Sequence, residues 1–416
     1  MSVAFHLDTD FYKAKVGSAV KRLTLVNFRN YKYLRLNIGA PFVVLSGENG
    51  SGKTNVLEAV SFLSQGRGLR NAKLSEVKTF DFLAATQQSP VFINNNGWAV
   101  SAQVERGGEE FNIGTAVESI VKETNYNEVK EVERRIVQVN NQKLASQNEL
   151  GQYLSIIWVT PQMDRLFQTG AQARRSFLDR IVYAFDTSHA RRLAAYDNLY
   201  RQWLQILKSG NINDSWLVAL EDQMVGIGVA IAAARREQIQ KLNDFTEQNP
   251  DDIFPTAQLS LDGTIEQMLD DKPAIYVEDF YRESLFNQRR NILYNDSGNS
   301  INKTDLRALY KKKNVPAELC STGEQKSLLL SIILAQARFL IHTRGLPPIL
   351  LLDEIAAHLD DIKRDAFLYK IRELNLQAWL TSTTPSDFLS IKNSAQFFTI
   401  KDNMVNEIAE GLEAAV

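Results

Sequence analysis

The chain has 416 residues, 44% of them hydrophobic and 23% charged, with a formal net charge of −2. Length and composition are those of a globular protein with two or three lobes, not of a disordered, fibrous or disulfide-rich one. The near-neutral balance excludes nucleic-acid binding through bulk charge, so any such binding must rest on local patches.

The single cysteine, Cys320, excludes an internal disulfide and a cysteine-built zinc site, and it fits a reducing cytosol. His6, His189, His342 and His358 have no ligand spacing, so no structural metal is expected. No run approaches about 18 uninterrupted apolar residues, so neither a membrane-spanning helix nor a membrane partner is expected. The opening "MSVAFHLDTDFYKAKVGSAV" carries Asp8 and Asp10 and lacks the basic-then-apolar order of a secretory signal. A cytoplasmic location is expected.

In chain order, residues 1–20 form a leader to which no role attaches. Residues 21–47 alternate apolar and polar, then turn continuously apolar at 42–45, which predicts two half-buried strands and a buried one. "TNVLEAVSFL" from Thr54 sets Val56, Val60 and Leu63 on one helical face. Residues 90–145 are β-rich, with turn signals at 94–97, 106–108 and 140–141. From about 171 to 245 the chain is strongly helical; a break near 249–263 precedes a mixed stretch to about 315. A helix from 322, a strand at 348–353 and another at 378–382 restore strand–helix alternation. The predicted class is α/β: residues 21–163 and 321–408 build one lobe with a mixed sheet, 164–320 are an inserted, mainly helical lobe, and 409–416 are a tail.

Three short stretches carry chemistry. "GENGSGKT" (47–54) fits G-x-x-x-x-G-K-[ST] between a buried strand and a helix, as a phosphate-binding loop requires. Gly47, Gly50 and Gly52 let backbone wrap closely round phosphate oxygens, with Asn49 and Ser51 between them and Asn55 just beyond. Lys53 can reach the β- and γ-phosphates of a nucleotide, and the Thr54 hydroxyl can ligate Mg²⁺. "ILLLDE" (349–354) is a buried strand ending in two acids. Asp353 suits Mg²⁺ and Glu354 suits orienting or deprotonating an attacking water. The third stretch, "ELCSTGEQKS" (318–327), puts Ser321 and Gly323 at the mouth of a helix that suits an anion, although taken alone a plain N-cap is the readier account of them.

The order of these stretches resembles that of ATP-binding-cassette ATPases. That resemblance implies ATP and Mg²⁺ as cofactors and a head-to-tail homodimer formed on ATP. Ser321 and the Gly323 N–H would then complete the partner's site, with Asp360 of "HLDD" (358–361) at the dimer seam.

The stretches "LTLVNFRNYKYLRLNI", "WVTPQMDRLFQTGAQARRSFLDRIV" and "CSTGEQKSLLLSIILAQA", with the two nucleotide motifs, narrow this to a resemblance to the RecF family, relatives of SMC and Rad50 heads. Phe28-Arg29-Asn30-Tyr31 and the segment 161–179 are its distinctive elements. No sustained heptads lie between Lys53 and Asp353, which suits a head without a long coiled coil. The family implies a weak, DNA-stimulated ATPase that binds single-stranded DNA and gap junctions in replication and repair, working with RecR and RecO to load RecA. It also implies that Gln162 senses Mg²⁺ and γ-phosphate.

Two departures stand out. "NKTD" (302–305) replaces a common His-Arg-Ser-Asp, keeping only the charge pattern of Lys303 and Asp305. Ser382 and Thr383 stand where transport ATPases carry a histidine; hydroxyls can bond phosphate but do not titrate, so slow turnover is expected.

Arg67 and Arg70 ("GRGLR") are candidate DNA contacts, with Arg174 and Arg175, out of basic pairs that recur at 134–135, 191–192, 235–236, 289–290 and 311–313. An SMC- or Rad50-like head is the nearest alternative. A transporter ATPase lacks support because no histidine follows the last core strand, and a non-hydrolysing scaffold would not need Lys53 and Glu354.

Overall fold

The computed structural model describes residues 17–79, 97–123, 129–209, 214–291, 300–345, 347–355 and 359–408. Most of the leader, the tail, the 94–96 turn signal and His358 lie outside the described residues.

Apolar–polar alternation folds as its period dictates. β1 (Ser18–Phe28) and β2 (Tyr31–Asn37) pair antiparallel, with Leu23 and Leu25 of the one and Leu34 and Leu36 of the other turned inward. β1 also pairs with β4 (Ala99–Arg106), which continues through β5 (Glu109–Glu123) and β6 (Val129–Val139) to the short β7 (Gln142–Lys143). The β6–β7 hairpin turns on Asn140 and Asn141, both at positive φ (48° and 64°), which suits the right-handed twist of the flanking strands.

Most of the second sheet of this unit is built from mainly apolar strands. β3 (Phe42–Ser46), β8 (Ile156–Val159), β12 (Ile349–Leu352) and β13 (Ala378–Ser382) are buried throughout. Such runs belong to parallel sheets covered on both faces. The order is β15-β14-β3-β13-β12-β8, parallel except for β15 (Met404–Glu407) on β14 (Ala395–Lys401). α1 (Lys53–Ser61) follows β3, and α8 (Asp361–Glu373) runs between β12 and β13. Phe28, Phe62 and Trp98 meet edge to face with centroids 5.0 to 5.9 Å apart, locking the first sheet to the end of α1.

Two compact units result: residues up to Met163 with those from Leu340 onward, and Asp164–Phe339. The sequence reading put residues 321 onward with the first lobe, whereas most of α7 (Thr322–Arg344) belongs to the helical unit. Packing explains this: the Phe339 ring lies 4.9 Å from Phe185 and 5.2 Å from Phe245, and Lys326 pairs with Asp164 at 3.3 Å.

In the helical unit, α2 (Ala171–Tyr183), α3 (His189–Ser209), α4 (Asp214–Gln248), α5 (Thr264–Asp271) and α6 (Ala274–Asn291) accompany a small antiparallel sheet. Its order is β11 (Val315–Pro316), β10 (Asp305–Tyr310), β9 (Ala257–Asp262). Among the described residues, α4 is the one helix long and apolar enough to cross a membrane. Its Leu217, Leu220, Met224, Val225 and Ile231 are instead core residues, packed with Trp203, Tyr281 and Leu285. A Cβ at Gly228 would come 2.7 Å from the Tyr281 ring, so that crossing requires glycine.

A charged network is sealed inside this unit. Arg235 is fully buried; its guanidinium donates to Asp179 at 2.8 and 3.0 Å, to the Ile301 carbonyl at 2.8 Å and to Glu266 at 3.3 Å. His189 Nε2 meets Asp179 at 2.9 Å, and Thr304 Oγ1 donates to Glu266 at 2.7 Å. Burial by itself pushes the Asp179 carboxyl up, but His189 and Arg235 together hold it below the ordinary carboxylate range. Its contribution to stability is therefore complete at neutral pH and disappears as pH falls through that depressed value. Asp179→Ala removes the shorter of the two carboxylate contacts of Arg235, leaving only Glu266 at 3.3 Å, and is expected to cost about 3 kcal/mol, read as a lowered urea midpoint for the unfolding of this unit at neutral pH. An unchanged midpoint would mean the network holds nothing together.

Candidate nucleotide site

Parallel strands deliver their C-terminal ends to one edge, where sheets of this kind bind ligands. Ser46 of β3 is in register with Ser382 of β13, and Leu352 of β12 with Leu380 of β13 and Val159 of β8. The next residues are the Gly47 loop, Thr383, Asp353-Glu354 and, past Thr160, Gln162. Residues far apart in the sequence are thereby gathered at a single edge.

The loop's backbone is glycine's. Gly47, Gly50 and Gly52 have φ of 150°, 82° and 109°. A Cβ on Gly47 would lie 2.4 Å from the Ile400 carbonyl oxygen; one on Gly52 would lie 2.4 Å from Asn30 Nδ2 and 2.7 Å from Tyr31 OH. Gly50 faces open space and Asn49 is exposed. Lys53 opens α1 with its side chain folded back, Nζ donating to the carbonyls of Gly47 (2.6 Å) and Glu48 (2.8 Å). Burial lowers its pKa, and the charges of Glu354 and Asp353 oppose that shift. Ser51 Oγ is buried with no hydrogen-bond partner among the described residues. A glycine cradle, an ammonium held on replaceable carbonyls and an orphaned hydroxyl fit a phosphate chain.

The acids meet the loop across the sheet edge. Thr54 Oγ1 donates to Asp353, 2.9 and 3.1 Å from its two oxygens. Thr381 Oγ1 donates to Asp353 Oδ1 at 2.8 Å and accepts from the Glu354 N–H at 2.8 Å. Glu354 sits at φ 52°, a left-handed backbone that costs a non-glycine residue of order 1 kcal/mol and turns its side chain off the strand. A hydroxyl against a carboxylate is a donor set for a hard, oxygen-seeking cation such as Mg²⁺. Gln162 and Thr383 are exposed, while Ser382 is hydrogen-bonded to Asp387.

Sequence reading missed the bracing of this loop. Asn30 Nδ2 lies 3.4 Å from the Ser51 carbonyl, its Oδ1 accepts from Asn55 at 2.6 Å, and Tyr31 OH donates to the Gly52 carbonyl at 3.2 Å. Arg29 clamps the fully buried Glu58 of α1 at 2.8 and 2.6 Å, and Arg70 reaches Glu58 at 3.0 Å and Asn55 at 2.7 Å. The signal available was a glutamate inside the apolar run "NVLEAV" beside an isolated Phe-Arg-Asn-Tyr.

The other sequence-predicted residues divide. Ser321 and Gly323 are exposed at the start of α7, with Ser321 N and Oγ donating to Glu324 at 2.9 and 2.8 Å. Asp360 caps α8 by accepting from the Lys363 N–H at 2.9 Å. Arg67 is exposed. Arg174 requires correction as a DNA contact: it is buried in a two-pronged pair with Asp305 at 2.6 and 2.7 Å. Arg175 is half-buried and donates to the Thr304 carbonyl at 2.9 Å.

Residues 19–160 match the family model "RecF/RecN/SMC N terminal domain". The "DNA replication and repair protein RecF" of Mesorhizobium japonicum is 39% identical over 388 residues, covering 93% of this chain and 97% of the relative. That of Brucella abortus is 40% identical over 395 residues, covering 94% and 96%. Among solved structures, "the recombination mediator protein RecF-ATPrS in RecFOR pathway" matches with a TM-score of 0.77 at 20% identity, over 95% of this chain and 99% of that one, and so shares the fold. With the phosphate loop, the paired acids and the near-complete coverage in agreement, the chain belongs to the RecF family of DNA replication and repair proteins.

Proposed function

We propose that this protein is an ATP-dependent DNA-binding clamp of replication and gap repair, dimerising head to tail on ATP and hydrolysing it slowly. The observation that carries the reading is the meeting of Lys53, Thr54, Asp353 and Glu354 at the carboxyl edge of one parallel sheet. Support also comes from the repair role in the relatives' names and from the ATP named in a second RecF structure (TM-score 0.74, 21% identity, 95% of this chain).

In this reading Gly47, Gly50 and Gly52 free the loop to surround phosphates, and Lys53 exchanges its carbonyl partners for β- and γ-oxygens. Asn49, Ser51 and Asn55 line the same cradle. Thr54 and Asp353, with Gln162, would hold Mg²⁺, which when bound neutralises phosphate charge. Glu354 orients the attacking water and takes its proton. Thr383 offers a hydroxyl and no titratable group, which keeps turnover slow. Ser321 and Gly323 serve the second subunit, and Asp360 lies at the seam between the two. The clamp acts at single-stranded DNA and gap junctions, with RecR as immediate partner and RecO and RecA downstream, in the cytoplasm.

Glu354→Gln is expected to retain ATP-driven dimers in sedimentation while turnover falls about 10²-fold. Ser321→Arg should bind ATP as a monomer, and normal dimerisation of that variant would remove the trans role. Gly52→Ala, strained by its φ of 109° and opposed by Asn30 and Tyr31, should lose nucleotide affinity by at least about tenfold with secondary structure intact by circular dichroism. Undiminished affinity would mean that the loop's tight backbone is not needed.

A further inference from the structure

Where the turn after α1 meets the β6–β7 hairpin, the first unit folds around a half-open cavity of about 530 Å³. Its wall carries Arg67 and Lys73 from the segment after α1, Arg134 and Arg135 from β6 and Lys143 from β7, against one carboxylate among the described residues, Glu133. That imbalance is concentrated in a chain whose net charge is −2. Arg67, Lys73 and Arg134 are exposed, and no ion pair to their side-chain charges is found among the described residues, the Glu76 carboxylate accepting only from the Lys73 backbone N–H at 3.1 Å. Lys143 reaches Glu118 only at 3.8 Å, in a solvent-exposed pair that contributes little.

Arg135 forms the floor. Its guanidinium donates to the carbonyls of Phe62, Ser64 and Gly66, to Thr115 Oγ1 at 2.8 Å and to Gln147 Oε1 at 3.0 Å, and lies 5.1 Å over the Phe62 ring. Every one of these acceptors is neutral, so the charge is fixed in place without being cancelled. Burial brings its pKa down to about 9, which leaves it protonated at neutral pH. Internal ion pairing therefore does not account for this wall, whereas an incoming polyanion does.

We propose that this cavity holds backbone phosphates of DNA on the first unit, a proposal that rests on the DNA-binding reading above. A free nucleotide suits it less. Among the described residues its lining has one glycine, Gly66, and one acid, Glu133, so no pair of acids is present to hold a cation. Phe62 is buried beneath Arg135, so no ring is offered for base stacking, and the contact reads backbone rather than sequence. Arg135 also ties down the turn that ends α1, the helix whose other end is the phosphate loop.

The test uses the full chain, with labelled single-stranded and duplex DNA titrated across a salt series by fluorescence anisotropy. Lys73→Glu with Arg134→Glu is expected to weaken binding at least about tenfold at low salt and to lower the slope of log K against log salt by about 1.5. The milder Arg134→Gln should give about half that slope change. Binding of a fluorescent ATP analogue and the thermal unfolding midpoint should stay at wild-type values in both variants. Wild-type DNA affinity and slope in the double variant would overturn the cavity's role and leave the DNA-binding reading standing. Failure of the wild type to bind DNA at any salt would overturn both. Displacement of DNA by inorganic tripolyphosphate at an ionic strength where chloride has no effect would make this a small polyphosphate pocket and overturn the proposal. A parallel loss of ATP-analogue binding would do the same, because the effect would no longer be local.

Discussion

One threonine hydroxyl organises the acidic end of the candidate nucleotide site. Thr381 Oγ1 donates to Asp353 and at the same time accepts the N–H of Glu354, both at 2.8 Å. Asp353 has only its second oxygen and the Thr54 contact left to define its direction, and Glu354 is held in a left-handed backbone that no helix or strand would give it. Two neighbouring acids that would point to opposite faces of a strand are thus held by one hydroxyl, Asp353 at its carboxylate and Glu354 at its backbone N–H. Parallel pairing of β12 with β13 is what brings Thr381 within reach, so sheet order and site chemistry are one constraint.

A second brace holds the basic end. Arg29 and Arg70 converge on Glu58, and Asn30 and Tyr31 lie against Ser51 and Gly52, so the hairpin β1–β2 grips the phosphate loop and the first turns of α1. A buried carboxylate between two guanidinium groups is costly to strip of either partner, which fixes the helix relative to the hairpin. Glycine at position 52 follows from this grip as much as from the phosphates it is suited to hold.

Legibility in the sequence followed the range of the forces concerned. Strands such as 378–382 and the helix from 322 were legible because hydrophobic period is a local property, and the phosphate loop because glycines, lysine and threonine have fixed spacing. Thr381 was not legible as a keystone: it lies in a short strand that is buried throughout, and its partners are near it only once β12 and β13 pair. Arg174 misled for the same reason, since the Asp305 that neutralises it is 131 positions away. The grouping of residues 322–339 with the helical unit depended on ring contacts of Phe339 that no local pattern announces.

The most direct measurement is of nucleotide affinity and turnover in Thr381→Val, with and without Mg²⁺. The variant keeps the strand's shape and removes only the hydroxyl. Affinity without the metal should match wild type, while the gain in affinity on adding Mg²⁺ and the turnover rate should both fall by about tenfold, the loss of one hydrogen bond to a charged group. Wild-type metal dependence and turnover in that variant would contradict the account.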